Sequence, residues 1–138
     1  MSEMVYLNGK YVPKEEAKIS PDDRGFLFAD GVYEVIKFYN GKSFRFEDHL
    51  SRLKRSLGEL RISFDRIEGL QEICSELVNR NNLSGSHAGV YMQITRGVNK
   101  RVHFFPKGVV PTIYAFASEL PSPKANLEKG IKEVTHED

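Results

Sequence analysis

Asp22-Asp23-Arg24-Gly25-Phe26-Leu27-Phe28-Ala29-Asp30-Gly31-Val32-Tyr33-Glu34-Val35-Ile36-Lys37-Phe38-Tyr39-Asn40-Gly41 carries the decision about the fold. Its first half is acidic and punctuated by glycine. Together with the preceding Ser20-Pro21 it reads as turn chemistry leading into a short helical turn. Its second half, Val32 to Tyr39, is β-branched and aromatic and reads as a strand. Asn40-Gly41 supplies the positive φ angles of a two-residue primed turn, so Ser43-Phe44-Arg45-Phe46 reads as the return strand of a hairpin.

The same logic extends outward. Val5-Tyr6-Leu7, Asn8-Gly9 and Lys10-Tyr11-Val12 form a second hairpin pattern, which Pro13 closes by removing a ladder donor. Glu47-Asp48 opens a helix whose Leu50, Leu53, Leu57 and Leu60 share one stripe. Asp65 and Glu68 have the spacing of an acidic capping box. They precede a second stripe of Ile67, Leu70, Ile73, Cys74, Leu77 and Val78, which Asn81-Asn82 can end. Val90, Met92 and Ile94 alternate with Tyr91, Gln93 and Thr95 in a strand with two different faces. Val109 to Ser118 is apolar on both sides and reads as a central strand covered on both faces.

The order ββ, ββ, αα, ββ predicts a two-layer α+β domain over residues 1–120. Its sheet is largely antiparallel, and both helices lie on one face. The proline-bearing segment Glu119 to Asn126 reads as a linker. Lys129 to Asp138 reads as the start of another strand. Residues 121–138 are therefore expected to be a linker and the first residues of a second domain, with the chain cut just inside it.

Composition narrows the function classes. Lys plus Arg is 20 against 19 for Asp plus Glu, a balance that gives no field for gathering phosphate backbones. The expectation is no nucleic-acid partner. No stretch reaches the roughly 20 apolar residues of a membrane span, and the N-terminus lacks a basic region and an apolar core for secretion. One cysteine, Cys74, excludes an internal disulfide framework, and a cytoplasmic location is expected. His49, His87, His103 and His136 show no metal-ligand spacing, and no Gly-rich phosphate loop is present.

The chemistry-bearing residues lie in the loops. Arg101 and His103 are two apart, so an extended backbone sends both side chains to one side. A guanidinium fork and an imidazole N–H make an anion clamp. The same pair also fits a solvated arginine and an incidental histidine. Tyr33 follows the Gly31 turn and either donates its hydroxyl into a pocket or sits half-buried at a rim. Arg52 flanks the leucine stripe, as a phosphate ligand or as a surface residue with its stem on the core. Asp30 and Glu34 are either an acid–base pair or structural, with Asp30 satisfying loop amides and Glu34 pairing with a basic neighbour.

Asp23-Arg24-Gly25, Phe28-Ala29-Asp30-Gly31-Val32-Tyr33-Glu34, His49-Leu50-Ser51-Arg52-Leu53 and Thr95-Arg96-Gly97 occur in an order and spacing that resemble one family. From Val5 to Asp138 the chain resembles the N-terminal half of the fold type IV pyridoxal-phosphate enzymes, the class IV aminotransferases. Ala29 stands where glycine is commoner in that family. Arg101-Val102-His103 with Phe105-Pro106 is most similar to the D-amino-acid transaminase branch. Branched-chain aminotransferases, aminodeoxychorismate lyases and a non-catalytic single-domain module are the alternatives.

The resemblance implies transfer of an amino group between an amino acid and a 2-oxo acid, with pyridoxal 5'-phosphate as cofactor. It implies that Tyr33, Arg101 and His103 hold the substrate carboxylate, the last two reaching in from the partner subunit of a homodimer. It implies that Arg52 binds the cofactor phosphate. It places the lysine that holds the cofactor covalently beyond Asp138, so no catalytic residue is assigned here, and the chain alone is expected to be inactive and not to bind the cofactor covalently.

Overall fold

The computed structural model describes residues 3–121 and 124–137. Ser122 and Pro123 of the expected linker, and Asp138 at the end of the expected strand, lie outside them. Strands β1 (Met4–Leu7) and β2 (Lys10–Pro13) meet at Asn8 and Gly9, with φ of 48° and 98°. A short helix α1 (Arg24–Phe28) leads into β3 (Gly31–Tyr39), which turns at Asn40-Gly41 into β4 (Lys42–Ser43). Helices α2 (Phe46–Glu59) and α3 (Leu70–Arg80) follow, then β5 (His87–Thr95), β6 (Thr112–Glu119) and α4 (Lys124–Lys129).

The strands form one six-stranded sheet in the order β2-β1-β6-β5-β3-β4. Every pairing is antiparallel. Helix α2 packs on β3, and α3 packs on β1, β5 and β6. The alternation of each strand puts Ile36, Phe38, Val90, Met92 and Ile94 on the helix side. There they close a core with Leu53, Leu57, Leu70, Cys74 and Leu77. This is the expected two-layer α+β arrangement. Burial pushes the Cys74 thiol up to about 12, as suits a packed small hydrophobe rather than a reactive thiolate.

The opposite face of the sheet carries an aromatic row. Tyr33 stacks on Tyr91 at 5.7 Å between centroids, Tyr91 lies 5.3 Å from Phe116, and Phe116 lies 5.9 Å from Tyr114. Tyr33 is 65% exposed. Strand β6 is therefore central in the sheet, as expected, but only its helix-side face is covered, since Tyr114 and Phe116 are half-buried.

Several local expectations give way to tertiary constraints. The return strand Ser43–Phe46 shrinks to Lys42–Ser43. Arg45 takes a left-handed φ of 53° and turns the chain, so that Phe46 becomes the first residue of α2 and buries its ring. No side chain caps α3, because a 3-10 turn at Ile67–Gly69 runs directly into it and supplies its first hydrogen bond. The Asp65–Glu68 capping box does not form. Strand β6 starts at Thr112 rather than Val109, since Pro111 offers no N–H to a ladder.

The linker reading of Glu119 to Asn126 also changes: Glu119 belongs to β6, and α4 begins at Lys124. No strand forms among the described residues after Lys129. Ile131 and Val134 are exposed.

Candidate functional site

The Gly-punctuated turn and the loop after β5 are built together. Asp23 caps α1 through Oδ1, which accepts from Gly25 N at 2.8 Å. Ala29 ends the helix in a left-handed conformation, φ 53°, which glycine adopts without penalty. Gly97 has φ 102°, and a Cβ there would run into the Val110 carbonyl. That close approach folds the loop back over the turn, where Arg24 N donates to Gly97 O at 3.0 Å.

Asp30 lies at the centre of this assembly. It is buried, and both of its oxygens are claimed by arginines. Oδ2 accepts from Arg24 Nε and Arg96 Nε, each at 2.7 Å, and Oδ1 accepts from Arg96 Nη2 at 3.0 Å. Arg96 also donates to the carbonyls of Leu60 and Arg61 at 2.7 and 3.1 Å. Arg24 Nη1 donates to Val102 O at 2.7 Å. The Asp30 side chain thus serves guanidiniums rather than loop amides, which corrects the expectation for it.

Glu34 lies on the helix side of β3 and is buried. Arg52 of α2 grips it in a fork, Nε to Oε1 at 2.7 Å and Nη2 to Oε2 at 2.6 Å. His49 Nδ1 stands 2.8 Å from Oε2. Glu34 therefore pairs with basic neighbours, as one sequence reading had it. With both carboxylates locked in ion pairs, an Asp30–Glu34 acid–base pair is ruled out.

Both carboxyls lie below their ordinary values of 3.8 for Asp30 and 4.5 for Glu34. Burial alone pushes each up, but the hydrogen bonds and charges of Arg96 and Arg24 on Asp30, and of Arg52 and His49 on Glu34, outweigh it. A depressed carboxyl stabilises the fold above its unfolded value, and that contribution is lost as pH falls through the folded value. The domain is expected to hold its stability above about pH 5 and lose it progressively below about pH 4. Urea denaturation across that range checks this, and a midpoint unchanged down to about pH 3 contradicts it.

The four predicted ligands fall into two groups. Arg101 and His103 converge on Phe28, with the Arg101 guanidinium carbon 5.0 Å from the ring centroid and the His103 ring 5.8 Å away, edge to face. Among the described residues neither side chain has a hydrogen-bond partner, and both are exposed. Tyr33 and Arg52 form the other group: Tyr33 stands on β3 beside Glu34, Arg52 reaches Glu34 from α2, and the two are near enough to interact electrostatically. Among the described residues Tyr33 makes no hydrogen bond or ring contact with Arg101 or His103.

The Arg52 guanidinium suits an anion. Glu34 occupies its Nε and Nη2, its Nη1 carries no hydrogen bond among the described residues, and the side chain is 56% exposed. It borders a hollow of about 350 Å³ lined also by Phe44, Arg45, Asp48 and His49. A second hollow, about 530 Å³, lies between the Ile19–Phe26 segment and β5 and β6, and includes none of the four predicted ligands.

A family described as amino-transferase class IV matches residues 31–138. The chain belongs to this family. Within class IV it is 41% identical over 136 residues to a D-alanine aminotransferase of Staphylococcus haemolyticus, covering 97% of the chain and 48% of that protein. It is 41% identical over 138 residues to a D-alanine aminotransferase of Staphylococcus aureus strain N315, covering 99% and 48%. The chain thus spans about half the length of the curated relatives it matches. A solved branched-chain amino acid aminotransferase of Escherichia coli aligns with a TM-score of 0.78 at 24% identity, covering 87% of this chain and 40% of that one. That likeness establishes the fold, the small domain of fold type IV aminotransferases.

Sequence reasoning gave Arg24 and Arg96 no role of their own. The signal was available in Asp23-Arg24-Gly25 and Thr95-Arg96-Gly97, two arginines each followed by a glycine that lets backbone approach closely. His49 is the second partner of Glu34. Its place three residues before Arg52 puts both on one side of α2.

Proposed function

We propose that this chain is the substrate-recognising small domain of a pyridoxal-phosphate-dependent transaminase that moves an amino group between a D-amino acid and a 2-oxo acid. The observation that carries the reading is the Arg101–His103 pair, both against the Phe28 ring and without a hydrogen-bond partner among the described residues. D-alanine aminotransferase relatives at 41% identity support the D-amino-acid branch. Residues 1–120 form the small domain, and residues 121–138 lead toward the larger one.

In this reading Arg101 offers two parallel N–H groups to the substrate carboxylate, and His103 and Tyr33 each add one donor. Because Tyr33 stands apart from the pair within one chain, the pair serves the site of a second copy, and the working enzyme is a homodimer. Bound pyridoxal phosphate supplies the electron sink and carries the amino group. Arg52, with Nε and Nη2 on Glu34, would hold the cofactor phosphate through its remaining N–H groups. Lys42, Lys129 and Lys132 are exposed. The lysine that takes up such a cofactor sits in a desolvated pocket, and these three do not, so none of them is expected to hold it covalently. The single buried thiol suits a cytoplasmic setting.

Substrate profiling tests the reading. The intact enzyme, of the relatives' length, is expected to favour D-alanine over L-leucine by about 100-fold or more in kcat/KM. The 138-residue chain alone is expected to show no turnover and no cofactor fixed by borohydride on one specific lysine. Preference for L-leucine overturns the D-amino-acid reading in favour of a branched-chain enzyme, and absence of any transamination favours the non-catalytic module.

A further inference from the structure

We propose that Arg24 is a positioning residue for carboxylate recognition: it pins the peptide between Arg101 and His103 and, with Phe28, fixes how far apart the two donors stand. The inference rests on the reading of Arg101 and His103 as carboxylate ligands.

Val102 O is the only backbone group between those two side chains that a buried charge addresses among the described residues. Arg24 Nη1 donates to it at 2.7 Å. The guanidinium cannot swing, because its Nε is bonded to Asp30 at 2.7 Å and the side chain is 2% exposed. Arg96, packed 4.0 Å from the Phe105 centroid, holds the far end of the same loop. The loop has few backbone bonds of its own, so these side chains set its path. A charged donor to a carbonyl is short and directional, and here it is shielded from water.

Phe28 completes the mount. Its ring lies 4.6 Å from the Arg24 guanidinium carbon, 5.0 Å from that of Arg101 and 5.8 Å from the His103 ring. Asp30 is shared by Arg24 and Arg96, and both guanidiniums are buried, so Arg24 holds the loop from below rather than meeting the substrate anion itself. Cation–π and edge contacts narrow the rotamers of the two donors before substrate arrives. A displacement of about 1 Å in such a clamp costs on the order of 100-fold.

The test compares Arg24→Lys and Phe28→Leu with Arg101→Gln in the intact enzyme. Arg24→Lys keeps a cation for Asp30 but loses the second arm to Val102. Each of the first two is expected to raise KM for D-alanine about tenfold or more, with kcat within about threefold and the cofactor absorbance unchanged. Each should weaken binding of acetate, a bare carboxylate probe, in parallel. If Arg101→Gln raises KM while both other variants leave KM and acetate binding unchanged, the positioning role is overturned and the clamp reading stands. If Arg101→Gln itself leaves KM unchanged, the clamp reading falls first. If Arg24→Lys does not fold, Phe28→Leu decides alone.

Discussion

Replacing Asp30 by alanine is expected to destabilise the domain by about 3–5 kcal/mol, a large share of the total stability of a domain this size. The loss comes from what remains behind. Arg24 and Arg96 have side chains 2% and 6% exposed, and among the described residues each has Asp30 as its one ion-pair partner. Two guanidiniums with carbonyl acceptors but no counter-charge cannot stay dry at that depth. Asp30→Asn keeps the shape and one acceptor, and should fall between wild type and alanine. Urea denaturation of the chain measures both. A change under about 1 kcal/mol for Asp30→Ala would mean that water reaches the cluster.

Arg101→Gln is expected to lower kcat/KM by about 100- to 1,000-fold, mostly through KM. Glutamine offers one neutral amide where arginine offers a charged fork, and no hydrogen bond within the described residues depends on Arg101. Stability should therefore be nearly unchanged. Arg52→Gln should behave differently, because it releases the buried Glu34 carboxylate and loosens the cofactor phosphate. Steady-state kinetics with D-alanine, beside thermal denaturation, separates the two patterns. A normal KM in Arg101→Gln contradicts the clamp.

Much of the fold was legible because local signals and burial agreed. Asn8-Gly9 and Asn40-Gly41 dictated turns that the structure contains, and the leucine stripe of α2 faces the core it implied. Alternation in β3 and β5 separated the helix side from the aromatic side. The failures sit where distant segments override local preference. Phe44 to Phe46 has strand chemistry, but the core claims the Phe46 ring and ends the hairpin early. Asp65 and Glu68 have capping chemistry, but a 3-10 turn at Ile67–Gly69 leads into α3 and no side chain caps either.

The candidate site was legible to the same degree. Arg101 and His103 could be picked out by residue type, and their shared side follows from their spacing. Phe28, Arg24 and the Asp30 cluster could not be tied to them, because residues about 70 positions apart in sequence meet only through the fold. The sequence spacing between Tyr33 and Arg101 is equally silent about which copy of the chain each serves.

Mixing two disabled variants tests the composite pocket most directly. Assayed at D-alanine well below KM, subunits carrying Tyr33→Phe and subunits carrying Arg101→Gln are each expected to be nearly inactive alone. In randomly mixed dimers half the molecules are hybrids, and each hybrid rebuilds one intact site, so activity should recover to about a quarter of wild type. Recovery to that level is the result expected of a carboxylate pocket assembled from Tyr33 of one chain and Arg101 and His103 of another. Activity no greater than the sum of the two parents would contradict it.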